Sequence, residues 1–472
     1  MRVLFYSSYH ATPHLETELE IAKQLMEEGH EVYFLRCLSQ LKKCFANPKH
    51  TYFGCKVCIS KISNGYKSIG IPNKNIITFP KADIDIHTIC NPHEIKTIYD
   101  LKKITYKGWD LGMAVASSLV SAVRDHSPDT NYHKDFIKKG IETAAFVYDA
   151  GIKLLEDIKP DLVYLFNGRF LEVRPLMRLC EQKSIRFYTH ERGGQLGKYL
   201  LRENSIPHSL IAAKIEIEKL WADGGEEKEK IGKNFFEDRR NRVVHNGYAF
   251  TKNQQYNKLP ENFDKSRTNI SIFNSSMDEY EGIAEHKSSI YRNDNEGIEK
   301  ILLHFKNDKT KHFYLRVHPN LKNLNNTQIK EIEAIAANHK NITVIRAEED
   351  IDTYALIDNS DKVVVFGSTA GIEAVYWNKP VILLSRAFYD SLNCVYKPSS
   401  HEETISLMDD NNLKPLNQSE ALKFGYWILC RGIPFKDYQP LSVRKGNFLG
   451  KPLMPHTFWR MMYIIENKIS KA

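Results

Sequence analysis

The sequence predicts two doubly wound α/β domains in tandem, and three observations carry that reading. At 472 residues the chain is too long for one ordinary hydrophobic core. Its opening runs "RVLFYSS", then "LETELEIAKQLMEEG", then "HEVYFL", the strand, helix and strand of a βαβ unit. From residue 265 to 390 the same alternation begins afresh.

Within the opening unit, Leu15, Leu19, Ala22, Leu25 and Met26 recur at helical spacing and leave one face apolar, and Gly29 ends that helix. Beyond a cysteine-rich insertion at 37–58, helices are expected near 110–125 and 134–157. "DLVYLFNGRF" and "IRFYTHERGG" read as strands ending in polar loops, with a helix between them. Residues 213–263 are highly charged and read as helices and a passage between domains. In the second domain "NISIFNSS", "HFYLRVHPN", "NITVIRA" and "KVVVFG" are strands separated by helices. The expected division is a first domain over 1–250 and a second over 265–440. Residues 441–472 follow, with a last helix that packs back on the first domain.

No low-complexity tract or solenoid repeat interrupts the chain. "LGMAVASSLVSAV" is too short and too Ser-rich to span a bilayer, and the N-terminus reads as a strand rather than a signal peptide. The expected location is cytoplasmic, with peripheral contact at the inner face of a membrane left open. The formal charge of +8 suits an anionic small molecule or an anionic membrane surface. There is no basic stripe with interleaved aromatics, so nucleic acid is not an expected partner.

Eight cysteines in such a chain are expected to be mostly reduced. Cys37, Cys44, Cys55 and Cys58 cluster in sequence and end in C-x-x-C, which gives a structural zinc site as one reading. A redox dithiol and four unrelated thiols are its rivals.

The stretch "VVVFGSTAGIEAVYWNKPVILL" passes from strand to small polar turn to helix to strand. Ser368 and Thr369 fall where a helix begins, beside unpaired backbone N–H groups, and Gly367 and Gly371 let the backbone approach a ligand. That combination suits a phosphate. Glu373, just inside the helix, is placed to accept bonds from ribose hydroxyls. Helix capping explains the same residues without any ligand. Two further strand ends shift the balance towards a site. "LRVHPN" delivers Arg316, His318 and Asn320, with Pro319 closing the strand, and "FNSSMDEY" delivers Ser275 and Ser276.

"RVHPN" followed by "FGSTAGIEAVYWNKPVI" resembles the capsule polysaccharide biosynthesis glycosyltransferases, of Kdo and sialyl type, which have the GT-B fold. The resemblance implies two Rossmann-like domains facing across a cleft, with the nucleotide-sugar on the C-terminal one and the acceptor on the N-terminal one. It places His318 and Pro319 at the nucleotide, often CMP, and Ser368 and Thr369 at its phosphate. Ser-Thr stands here where many relatives have Ser-Ser. The donor so implied is a CMP-sugar of Kdo or a nonulosonate, and the acceptor a surface polysaccharide or lipid-linked glycan.

Glycosyl transfer needs stabilisation of the leaving phosphate and, in direct displacement, a base for the acceptor hydroxyl. Arg316, His318 and the turn at Ser368 are the leaving-group candidates, with no catalytic metal expected. Glu191 in "HERGG" is the first candidate base and Glu16 in "PHLETE" the second. His10, His14, Asn167 and Arg169 are further candidates for acceptor contact. Two alternatives share the architecture. One is a UDP-sugar epimerase or hydrolase, which converts a nucleotide-sugar without an acceptor. The other is a non-catalytic scaffold for polysaccharide binding or export.

Overall fold

The computed structural model describes residues 1–243 and 250–469. Two compact units emerge. Unit 1 comprises Met1–Val123, Ser127–Pro207 and the stretch from Gly432 onward; unit 2 comprises Arg124–His126 and His208–Arg431.

Unit 1 begins β1 (Arg2–Ser7), α1 (His14–Glu27), β2 (Glu31–Arg36), α2 (Tyr52–Ser68) and β3 (Ile76–Ile77). It continues α3 (Ile98–Lys102), α4 (Leu111–Val123), α5 (Lys134–Ile158), β4 (Leu162–Phe166), α6 (Arg174–Gln182), β5 (Arg186–Arg192) and β6 (Lys198–Glu203). Unit 2 follows with α7 (Leu210–Asp223), α8 (Lys228–Arg240), β7 (Thr268–Phe273), α9 (Asp294–His304), β8 (Lys311–Arg316), α10 (Thr327–Asn338) and β9 (Ile342–Ile345). It closes with α11 (Thr353–Asn359), β10 (Lys362–Val365), α12 (Ala370–Tyr376), β11 (Val381–Leu383), α13 (His401–Asp409) and α14 (Ser419–Cys430). The chain then returns to unit 1 through β12 (Ile433–Pro434), β13 (Tyr438–Ser442), β14 (Lys445–Phe448) and α15 (Thr457–Ile469).

Both units are doubly wound. In unit 1 the sheet order is β12-β6-β5-β4-β1-β2-β3, parallel from β3 to β5 and antiparallel at β6 and β12. In unit 2 the order is β11-β10-β7-β8-β9, parallel throughout. Strand alternation builds a core on each face of each sheet. Val3 and Phe5 of β1 pack with Leu15 and Leu19 of α1, while Leu4 and Tyr6 pack with the α4–α6 side. In unit 2, Val363 and Val365 face one core and Val364 the other. In such a sheet the strand order reverses between its first and fourth parallel strands, and the crevice outside those carboxyl ends is where ligands bind. That point lies between β1 and β4 in unit 1, and between β7 and β10 in unit 2.

The division of the chain differs from the expected 1–250 and 265–440. Helices α7 and α8 belong to unit 2, because Ala213, Ile217, Phe235 and Phe236 enter the core that holds α12 and α14. Glycine permits the approach of α8 to α14: a Cβ on Gly425 would stand 2.3 Å from the Gly232 carbonyl oxygen. At the far end unit 2 stops at Arg431, and β12 extends the sheet of unit 1. Helix α15 lies on α2, where the Phe53 and Trp459 rings are 6.2 Å apart.

The structure shows no assembled metal site at the cysteine cluster among the described residues. Cys37 and Cys44 pack on one face of the unit 1 sheet and Cys58 on the other. The C-x-x-C lies inside α2 rather than in a turn, and Cys55 accepts a bond from Asn47 Nδ2 at 3.4 Å. Among the described residues no group of three or more His, Cys, Asp or Glu is arranged to hold a metal ion. Burial pushes the Cys37, Cys44 and Cys58 thiols up, which keeps them protonated.

Candidate functional site

A pocket opens in unit 2 at its switch point. Phe273 and Asn274 from the end of β7 and Ser368, Thr369 and Ala370 from the turn after β10 form its floor. The β8 end contributes Arg316, His318 and Pro319. Three strand ends singled out in the sequence therefore meet in one place, because parallel strands deliver all their carboxyl ends to one edge.

The turn after β10 depends on Gly367, whose φ is +82°. A Cβ there would also come within 2.8 Å of the Arg386 carbonyl oxygen. Ser368 Oγ accepts from the Ala370 N–H at 3.3 Å, and Tyr389 holds the turn by donating to the Ser368 carbonyl at 2.5 Å. Thr369 makes no capping bond and its side chain is exposed.

His318 is fixed from both sides. Its backbone N–H donates to Asn274 Oδ1 at 2.9 Å, and its Nδ1 accepts from the Asn320 N–H at 3.2 Å. Burial depresses its pKa to about 4, with Asp278 opposing. The ring is thus neutral near pH 7, and with Nδ1 accepting, its proton sits on Nε2 as a donor. Asn274 is 1% exposed, and its Nδ2 has no hydrogen-bond partner. A buried amide donor lining a pocket is costly unless a ligand meets it.

Glu373 lies in the pocket wall but is already engaged. One carboxylate oxygen accepts from the Tyr354 hydroxyl at 2.5 Å, and the other is 3.1 Å from Arg239 Nη2. Burial alone would lower the Arg239 pKa, but Glu373 and Tyr354 raise it. The expected ribose contact by Glu373 is therefore replaced by a structural one that holds Tyr354 and Arg239 in the wall. Arg316 is similarly occupied: its Nη atoms donate to the carbonyls of Arg346 and Glu349 at 3.1 and 3.0 Å. Only its Nε is without a partner.

Four expected nucleotide residues do not line this pocket. Ser275 gives both N–H and Oγ to Asp294 at 2.7 Å, and Ser276 Oγ donates to Asp278 at 2.5 Å. Asn320 Nδ2 donates to Glu279 at 2.5 Å. Gly367 shapes the turn without facing the pocket. Conversely, Arg239, Phe250, Gln254, Thr353 and Tyr354 line the wall and were not foreseen. Gln254 and Thr353 clasp each other, with bonds of 2.8 and 3.0 Å. Residues 213–263 read as helices and a passage between domains, and no motif in them points to a pocket wall. Residues 244–249 lie outside the described stretch.

Unit 1 gathers a second polar group at its own switch point. Asn167, at φ 60°, turns the chain after β4, and its Nδ2 donates to Glu191 at 2.8 Å. Glu191 ends β5 with its side chain 26% exposed, and His14 Nε2 stands 3.5 Å from its other oxygen. Burial holds the His14 pKa near 3, despite Glu191, so the ring is neutral. Its Nδ1 is buried without a partner, as is that of His10. Burial likewise lowers His10 to about 4. Glu16 is different: it is 1% exposed, takes a bond from Thr12 at 2.8 Å and an ion pair from Lys61 at 3.1 Å. Enclosed and paired, it anchors α1 to α2 rather than facing a substrate. Beneath them Glu18 joins Ser7 at 2.6 Å and His190 at 3.0 Å, tying α1 to β1 and β5.

Comparison with known proteins bears on one stretch of the chain. Residues 246–402 match the family described as "Capsule polysaccharide biosynthesis protein". No curated protein matches the chain. Among solved structures, the beta Kdo 2,4 transferase of Thermosulfurimonas dismutans KpsC is 14% identical, over 64% of this chain and 86% of that one, with a TM-score of 0.36. The beta Kdo 2,7 transferase of the same protein is 15% identical over 59% and 80%, with a TM-score of 0.35. A UDP-GlcNAc 2-epimerase from Neisseria meningitidis, bound to UDP-GlcNAc, is 13% identical over 91% and 98%, with a TM-score of 0.30. At that distance the solved structures decide nothing about substrate. The pocket of unit 2, by contrast, is built almost wholly from the stretch that resembles the capsule polysaccharide biosynthesis family.

Proposed function

We propose that the chain is a glycosyltransferase that takes a sugar from a nucleotide donor held in unit 2 and transfers it to a glycan. The carrying observation is the switch-point pocket, in which a neutral His318, the unpartnered Asn274 Nδ2 and the Ser368–Thr369 turn converge. Tyr354 and Phe250 supply flat apolar surface for a base. His318 Nε2–H, Asn274 Nδ2 and the Ser368 and Thr369 hydroxyls supply donors for phosphate oxygens, without calling on a metal ion.

The reading includes a CMP-linked Kdo or nonulosonate as donor and a surface polysaccharide or lipid-linked glycan as acceptor. In direct displacement the acceptor hydroxyl loses its proton as its oxygen bonds to the anomeric carbon. The bond from that carbon to the phosphate oxygen breaks, and CMP leaves. Glu191, oriented by Asn167 and adjacent to neutral His14, is the base we assign on the acceptor side.

Calorimetry with CMP, UDP and GDP on the wild type, His318→Ala and Ser368→Ala tests the donor half. Selective CMP binding, weakened at least about tenfold in each variant, supports the reading. Selective UDP binding redirects it to a UDP-sugar enzyme, and absence of nucleotide binding sinks it.

A further inference from the structure

Unit 1 ends in a helix with an apolar outer face. On α15, Phe458, Met461, Ile465 and Ile469 follow one another at spacings of three and four and are 47, 53, 42 and 72% exposed. They form one stripe, with Ile464 beside it. The opposite side is held: Trp459 meets Phe53 of α2 and lies 5.9 Å below the Lys56 ammonium. His456 N–H donates to Ser60 Oγ at 3.1 Å, and Asn64 Nδ2 donates to the Met454 carbonyl at 2.9 Å. The helix is thus docked by one face while its greasier face points to solvent.

On its exposed side the charge beside that stripe has one sign. Arg460 and Lys468 flank it on the exposed side, and Glu466, the one acid in α15, sits on the less exposed side. Helix α2 carries Lys56 and the exposed Lys67 and no acidic residue, while its Lys61 is buried against Glu16. An apolar stripe bordered by cations is the composition of a helix that lies in a lipid interface. A second copy of this chain suits it less, because a two-fold contact would set Arg460 and Lys468 against their own like charges. Among the described residues no helix is long and apolar enough to cross a membrane, so contact would be at the surface.

We infer that the outer face of α15, with the basic flank of α2, docks unit 1 on an anionic lipid surface. The apolar stripe enters the headgroup boundary while Arg460, Lys468 and Lys56 meet lipid phosphates. This extends the lipid-linked acceptor reading above, but its test needs neither nucleotide nor acceptor, so each can fail alone.

The full chain is sedimented with vesicles of phosphatidylcholine and with vesicles in which phosphatidylglycerol is mixed. Binding is expected only to the mixed vesicles and is expected to fall as salt is raised. Phe458→Ser with Met461→Ser and Ile465→Ser should weaken it at least about tenfold. Arg460→Glu with Lys468→Glu should weaken it about twentyfold or more, since one surface cation is worth roughly fivefold. Should the triple variant fail to fold, as judged by thermal unfolding, the charge-reversal pair decides, because both side chains are exposed. Equal binding to both vesicle types, or none to either, overturns the inference. So does a wild-type dimer in solution that the triple variant converts to monomer.

Discussion

Glu172 shows how much one buried group can say about the molecule. It is 1% exposed and accepts the Phe45 N–H at 3.1 Å, while its second oxygen has no partner. Burial raises its pKa to about 7, against the two backbone bonds that lower it. A folded-state pKa above the unfolded value means the native state holds this proton more tightly. Its stabilising contribution is therefore full below about pH 4.5 and disappears as pH rises through about 7. Glu172→Gln should leave stability at pH 5 nearly unchanged and raise it at pH 8 by on the order of 2–3 kcal/mol, read from urea midpoints. Tyr354→Phe is expected to act in the other direction: it strips Glu373 of a buried donor and should destabilise unit 2 by about 1–3 kcal/mol in the same assay. Such roles are hidden in a sequence. Glu373 looked like a ribose ligand because its position in the helix was legible, whereas Tyr354 and Arg239, which occupy its oxygens, come from distant elements. His318 and Ser368 were legible because the strand that precedes each one fixes where it ends up.

At the scale of elements, the strand-to-helix turns build the candidate site and the glycines make them possible. Gly367 adopts φ +82° between β10 and α12, a conformation that costs an L-residue of order 1–3 kcal/mol. Gly367→Ala adds a contact of 2.8 Å with the Arg386 carbonyl to that strain. The expected result is a loss of about 2 kcal/mol or more in stability together with loss of nucleotide binding, since Ser368 and Thr369 are displaced. Binding retained at wild-type affinity in a folded Gly367→Ala protein would show that the turn does not hold the ligand. Elements with strong periodicity were readable: α5 was expected over 134–157 and spans Lys134–Ile158. Helices were expected across 213–263, but not their place in the core of unit 2, because "EEKEKIGKNFFEDRRNR" shows its charged face to the reader. Only Phe235 and Phe236 reveal the side that enters the core.

For the whole molecule, the path of the chain matters more than its composition. Unit 1 is made from both ends of the sequence, so its stability depends on residues that arrive last. Glu20, fully buried on α1, is the clasp: its carboxylate accepts the backbone N–H groups of Lys436, Asp437 and Tyr438 at 2.6, 3.2 and 3.1 Å. No sequence pattern announces a contact of this kind, since the partners are backbone atoms more than 400 positions away. Glu20→Ala leaves three N–H groups short of an acceptor and should cost unit 1 about 2–5 kcal/mol. Apart from Arg124–His126, unit 2 lies in sequence between the second and third stretches of unit 1, and it has its own cores. The mutation is therefore expected to lower one thermal transition and leave another in place. A saturating nucleotide should raise only the second, by an amount that grows with the logarithm of its concentration. Scanning calorimetry of wild type and Glu20→Ala, each with and without CMP, separates the two. If a single transition shifts as one in all four samples, the units do not unfold independently, and the clasp supports the entire chain rather than unit 1 alone.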